Sequence, residues 1–187
     1  TIMKTIVVPW LGLAAPQPDL AEVSMALDKL GQGHVVGTVN WEGYSNKPDV
    51  RFNIAFGDNE IYLKYYVREH YVKAEMVKSN QSVYEDSCVE FFVSPEDDGI
   101  YYNFEFNSIG TCLMGKGTGR ADTKSQDPAN IAKIRRLGTN GKEPFAERTG
   151  EQSWELTIAS PLSACVGNEM RDLAGKTFRA NFYKCGD

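Results

Sequence analysis

The 187-residue chain, with 42% apolar, 24% charged and 11% aromatic side chains, has the length and composition of one folded domain over 1–187. Such a chain buries roughly 70% of the surface it exposes when unfolded, so disorder is excluded and disulfides are not needed to hold it together. The formal net charge is -5, with 25 acidic against 20 basic residues, which is the reverse of the basic footprint of a duplex-binding protein; no nucleic-acid partner is expected.

No apolar run approaches the ~20 residues of a membrane-spanning helix, so no membrane partner is expected. The longest early run, 5–15, is broken by Pro9 and Gly12, and it lacks the charged start and long apolar core of an export signal. An extracellular or periplasmic location is expected if such a signal has been removed, and a cytoplasmic one is the alternative. The four cysteines, Cys88, Cys112, Cys165 and Cys185, are scattered without a C-x-x-C pair, and free thiols are expected.

In chain order, residues 2–10 alternate weakly up to Pro9, as an edge strand does. Residues 19–30 form the best helix: Asp19 caps it, Leu20, Val23, Leu27 and Leu30 share a face, and Gly31 and Gly33 stop it. The period then changes to two. Strands are predicted over 35–41, 51–56, 61–68, 72–77, 87–93, 101–107, 131–137, 154–158 and 177–185, with a hairpin turn at 57–59 and another at 95–99. Residues 110–119 are Gly-rich and read as a loop, continued by a polar stretch through Pro128. Many short strands at this spacing predict an all-β fold, an antiparallel β-sandwich of the immunoglobulin-like or jelly-roll type, with one short helix in the N-terminal segment 1–34 packed on it.

The residues with the most chemistry lie in 84–93 and 101–107. In the second run Tyr102, Phe104 and Phe106 point one way, into the core, and Tyr101, Asn103, Glu105 and Asn107 point the other. If the runs pair as a hairpin, Glu90 and Glu105 share a polar face, and Arg68 is expected within salt-bridge reach of one of them. A face mixing Arg, Glu, Asn and Tyr suits bidentate hydrogen bonds to vicinal hydroxyls with rings stacked on sugar faces. The plain alternative is a solvated face carrying surface ion pairs worth under ~1 kcal/mol. Trp41 ends a strand and opens the loop holding Tyr44, a position suited to stacking on a ligand or to plugging the end of the sandwich. Trp10 and Trp154 read as packing residues.

Catalysis has little support. Glu90 and Glu105 are compatible with a glycosidase pair, but adjacent-strand carboxylates more often have structural partners. His34 and His70 stand apart from any nucleophile motif, 115–119 lacks the spacing of a phosphate loop, and Glu96, Asp97 and Asp98 lack the calcium-loop pattern.

A series of motifs in order carries a family resemblance over roughly 35–185: Asn40-Trp41 with Pro48; 61–65 entering Val67-Arg68-Glu69; the acidic strand 84–92; Tyr-Asn-Phe-Glu-Phe-Asn at 102–107 with Ile109-Gly110-Thr111; 154–158 before Pro161; and Asn181-Phe182-Tyr183. The chain resembles the carbohydrate-binding module family 9-like domains, in the wider group of sandwiches that includes the DOMON domains. The resemblance implies a non-catalytic module that grips a sugar between aromatic rings, carries calcium, and works attached to or near glycan-degrading enzymes. It also implies a further strand beyond residue 187, so the chain is expected to stop short of the full domain. No cofactor is expected to be required, and the saccharide contacts expected are Trp41, Tyr44, Arg68, Tyr84, Glu90, Asn103, Glu105 and Asn107. Two other readings stay open: a haem-binding electron-transfer domain using His70, Met76 or Met114, and an interaction domain whose sugar site has decayed.

Overall fold

The computed structural model describes residues 3–36, 47–165 and 172–185. Among these, two five-stranded antiparallel sheets pack face to face. The first contains β1 (His34–Val35), β2 (Asp49–Phe56), β3 (Glu60–Ala74), β8 (Arg135–Gly138) and β9 (Phe145–Pro161), in the order β1-β2-β3-β9-β8. The second contains β4 (Cys88–Ser94), β5 (Tyr101–Asn107), β6 (Cys112–Gly117), β7 (Lys124–Ser125) and β10 (Arg179–Cys185), in the order β10-β4-β5-β6-β7. The all-β sandwich expected from the period-two pattern is the fold.

Helix α1 (Leu20–Asp28) starts where Asp19 Oδ1 accepts the Ala21 N–H. Its Val23 and Leu27 are fully buried against Ala55, Tyr62 and Ala159 on the outer face of the first sheet. Lys64, on the same face, is held by Asp28 at 2.8 Å and Glu155 at 3.0 Å, and Tyr66 donates to Asp28. Arg135 fastens the segment entering the helix, with its guanidinium 3.0 Å from Glu60 and donating to the Pro18 carbonyl.

Four elements differ from the sequence reading. The strands expected over 61–68 and 72–77 are one strand, β3, with register shifts between Glu69 and Tyr71 and between Val72 and Ala74. A bulge reverses side-chain parity, so the two halves look like separate runs in sequence. Residues 112–117, read as loop, form β6, because glycine contributes no side chain to an alternating pattern. Where one strand is expected over 131–137 stand the end of a short helix, α2 (Pro128–Ile131), and β8. The opening segment makes only an isolated bridge at Trp10, which is 58% exposed, whereas Trp154 is 1% exposed and lies in the core.

The core between the sheets is aromatic, with Phe52 and Phe182 stacked at 3.8 Å and Phe91 near Phe182 and Phe104. Two polar ties cross it. The Tyr65 hydroxyl donates to the Glu90 carbonyl at 2.6 Å. The Lys184 ammonium lies 3.3 Å from Glu69, whose other oxygen accepts the Trp154 indole N–H at 3.0 Å; the Lys184 and Glu69 side chains are only 3% and 9% exposed.

A buried charge that loses its partner costs about 3–5 kcal/mol. Lys184→Met is therefore expected to lower the unfolding free energy by about 3 kcal/mol in a urea titration. Adding Glu69→Gln, which removes the stranded charge and keeps an acceptor for Trp154, is expected to restore most of that loss. A double variant as unstable as the single one would contradict a buried ion pair.

Candidate functional site

Strand parity on the second sheet sends Val89, Phe91 and Val93 inward with Tyr102, Phe104 and Phe106, and turns Cys88, Glu90 and Phe92 outward with Tyr101, Asn103, Glu105 and Asn107. From β10 the same parity turns Asn181, Tyr183 and Cys185 outward. Glu90 lies directly across from Glu105 on one side and from Tyr183 on the other; Phe92 lies across from Asn103 and Asn181.

These groups form a tight acidic centre. The Asn103 Nδ2 donates to Glu105 Oε1 at 2.8 Å, and the Cys185 thiol donates to Glu90 Oε1 at 2.8 Å. Glu105 Oε2 and Asn103 Oδ1 are buried without a hydrogen-bond partner, although the two residues are only 9% and 7% exposed. Buried acceptors are rarely left this way unless a ligand or solvent completes them. Burial, and then the Glu90 charge facing it, pushes the Glu105 carboxyl up to about 7. Near neutrality the Glu105 carboxyl can therefore donate when protonated as well as accept.

Aromatic rings border this centre. Tyr183, 48% exposed, meets Phe92 edge-on at 5.4 Å, and Phe92 meets Tyr101 at 5.8 Å. The Tyr101 hydroxyl bonds with Thr123 at 2.7 Å. Thr123 itself lies where Cβ atoms on Gly115 and Gly117 would stand, at 2.6 and 2.8 Å, so these two glycines let the 118–123 loop sit down on β6. Asp122 fixes that loop by accepting the Thr118 and Gly119 N–H groups, which holds its carboxyl below the usual range, with Thr118 supplying the largest effect. The loop carries Arg120, whose positive charge acts on Glu105.

The expected site residues divide. Glu90, Asn103 and Glu105 come together as the hairpin pattern implied. Arg68 does not join them: it is on the outer face of the first sheet, 3.6 Å from Glu151 and 3.9 Å from Asp49. Parity gives the face of a strand but not the sheet that takes it up, and a cation acting on Glu105 is Arg120. Asn107 is fully buried in a structural role, donating to Asp86 and the Met76 carbonyl and accepting from the Ile109 and Thr111 N–H groups. Tyr84 is exposed on the 3-10 turn Val83–Glu85, which packs on β5. Trp41 and Tyr44 lie outside the described residues. Sequence reading missed Tyr183, Phe92 and Arg120; alternation along 177–185 carried a signal for the first, but Arg120 is brought in only by the glycine contacts.

All four cysteines are free thiols. Of the residues weighed for haem, Met114 is fully buried in the core and His70 is at the bulge of the other sheet. The calcium that the resemblance implied finds no converging group of three carboxylates among the described residues. Asp98 accepts the Ile100 N–H within its own turn, and Asp97 lies 3.7 Å from Arg179. Calcium takes six to eight oxygen ligands, so the described side chains do not fit it.

Two measurements check these assignments. An unfolded chain gives up the Glu105 proton near 4.5 and the folded chain near 7, so the folded state binds more protons between these values. Stability is expected to fall as pH rises across that window and to level off above it, while Glu105→Gln removes this component of the fall; parallel urea midpoints for both proteins would contradict the shift. Asn107→Ala strands several buried partners and is expected to cost about 3 kcal/mol of stability by the same titration.

The family model described as carbohydrate-binding family 9 matches residues 20–187. No curated protein matches the chain. Among solved structures, a Bacteroides uniformis ATCC 8492 protein proposed to bind carbohydrate is 41% identical, with a TM-score of 0.90, covering 96% of this chain and 83% of that one. A family 9 module from Caldicellulosiruptor kristjanssonii in complex with glucose superposes with a TM-score of 0.53 at 12% identity, covering 96% of this chain and 76% of that one. The same source's module with cellotriose gives 0.51 at 12% identity, covering 94% and 74%. At that identity these two share the fold. The family match over nearly the whole chain and the close Bacteroides relative place this chain in carbohydrate-binding family 9, a family of non-catalytic carbohydrate-binding modules.

Proposed function

We propose that the outer face of the second sheet is where this module binds a saccharide. The observation that carries the reading is the pair of buried, unpartnered acceptors, Asn103 Oδ1 and Glu105 Oε2, set beside the half-exposed Tyr183 ring. Sugar hydroxyls donate to these two oxygens. Glu105, when protonated, donates to a hydroxyl or ring oxygen, and the Asn103 amide and Arg120 add polar contacts. Tyr183 presents an apolar ring for the face of a pyranose. Such a site orients an oligosaccharide or the end of a polysaccharide without cleaving it. The module accordingly serves glycan degradation, tethering a degrading enzyme or acting near one. The glucose and cellotriose carried by the Caldicellulosiruptor modules make β-linked glucose the first ligand class to try.

Calorimetric titration with glucose, cellobiose, cellotriose and a broad panel of other oligosaccharides tests this. Binding to at least one is expected, weakened about tenfold, or about 1.4 kcal/mol, in Asn103→Ala, Glu105→Ala and Tyr183→Ala. Arg68→Ala, on the other sheet, is expected to leave it unchanged. No binding across the panel, or binding indifferent to all three variants, would overturn the assignment.

A further inference from the structure

Glu90 also belongs to a second cluster on this face. Cys88 and Cys185 lie directly across from each other on β4 and β10, and Glu90 projects from the same face two residues along. One donor atom from each, two sulfurs and a carboxylate oxygen, lie within 4.8 Å of one another, with Cys185 Sγ 2.8 Å from Glu90 Oε1. We propose that Cys88, Cys185 and Glu90 form a binding site for a thiophilic divalent cation of the zinc class.

The spacing is suitable. Zinc at about 2.3 Å from sulfur and about 2.1 Å from oxygen sets neighbouring ligand atoms of a tetrahedron about 3.5 Å apart. The Cys185–Glu90 separation of 2.8 Å is shorter than this and every separation is within 4.8 Å, so side-chain rotation can close the site while register holds the backbone fixed. The donor set is selective as well, because two thiolates exclude calcium and magnesium and favour zinc.

Electrostatics points the same way. Three groups that become anionic on ionisation converge here, and Glu105 stands opposite Glu90 with an oxygen still unpartnered. Lys184, the neighbour of Cys185 on β10, is turned inward to Glu69 and does not neutralise them. Burial, then Cys185, Glu90 and Glu105, pushes the Cys88 thiol well above its usual range, so a cation bound here has to displace the Cys88 proton. Binding replaces two thiol protons with one divalent cation: both S–H bonds break heterolytically, two Zn–S bonds form, and two protons pass to solvent with no change of oxidation state. Glu105 is then either the fourth ligand or the hydrogen-bond partner that orients Glu90.

The site goes beyond the saccharide reading and does not require it. The probe is cobalt(II), added to reduced, metal-stripped protein and then displaced by zinc. One equivalent is expected to give the intense near-ultraviolet thiolate-to-cobalt band, release about two protons at neutral pH, and lose the band to one equivalent of zinc. Cys185→Ser, at a half-exposed position, is expected to abolish the band while the thermal melt shows the protein folded; Glu90→Gln is expected to weaken binding about tenfold. Absence of the band, its survival in Cys185→Ser, or quantitative Cys88–Cys185 disulfide formation in air despite excess zinc would each overturn the proposal. Repeating the saccharide titration on the metal-stripped protein separates the two assignments, since sugar binding there stands or falls without the cation.

Discussion

The pairing of Lys184 with Glu69 across the core settles which side of β10 faces the world. A strand shifted by one residue exchanges its two faces, and the rest of β10 offers a weak hydrophobic pattern with which to resist such a shift. Lys184 does resist it, because its ammonium has a buried carboxylate to meet in only one register. With Lys184 inward, Phe182 is inward too, stacked on Phe52, and Tyr183 and Cys185 have to stand outside beside Glu90. The composition of the candidate site is therefore decided by an ion pair on the other side of the sheet from it.

The two outer faces of the sandwich have different fates for a similarly simple reason. Ala55 and Ala159 are small enough, and Tyr62 flat enough, to receive the Val23 and Leu27 side of α1, so the helix covers much of the first sheet. The charges left there, Lys64, Asp28 and Glu155, satisfy one another. On the second sheet the outward residues are acidic, amide or aromatic, and their hydrogen bonding is incomplete. A polar group buried without a partner costs free energy that natural folds seldom tolerate away from a place of use.

The alternating strands were readable from sequence because the interior enforces parity: Tyr102, Phe104 and Phe106 identify the buried side, and Asn103 and Glu105 follow as the other. Pairing of the two glutamates was readable for the same reason, since a short turn joins their strands. The place of Arg68 was not, because its own run gives a face and says nothing about which sheet claims it. The bulge in β3 and the glycines of β6 hid two further features, one by breaking the period and the other by leaving no side chains to show it. The burial of Asn107 was not readable, because its position on the outer face was visible but the cover laid over it by Asp86 and Met76 was not.

Thr123 rests on bare backbone at Gly115 and Gly117, and Asp122 ties the loop to itself through Thr118 and Gly119. Anchoring and tip are thereby separated: the glycines and the Asp122 turn hold the loop in place, while residue 120 is exposed at its tip. Descendants of this scaffold can exchange that one side chain, for a different charge or a ring, without disturbing the strands beneath. The glycine pair is in that sense a mounting point: the side chain at 120 can change without altering the contacts that seat the loop.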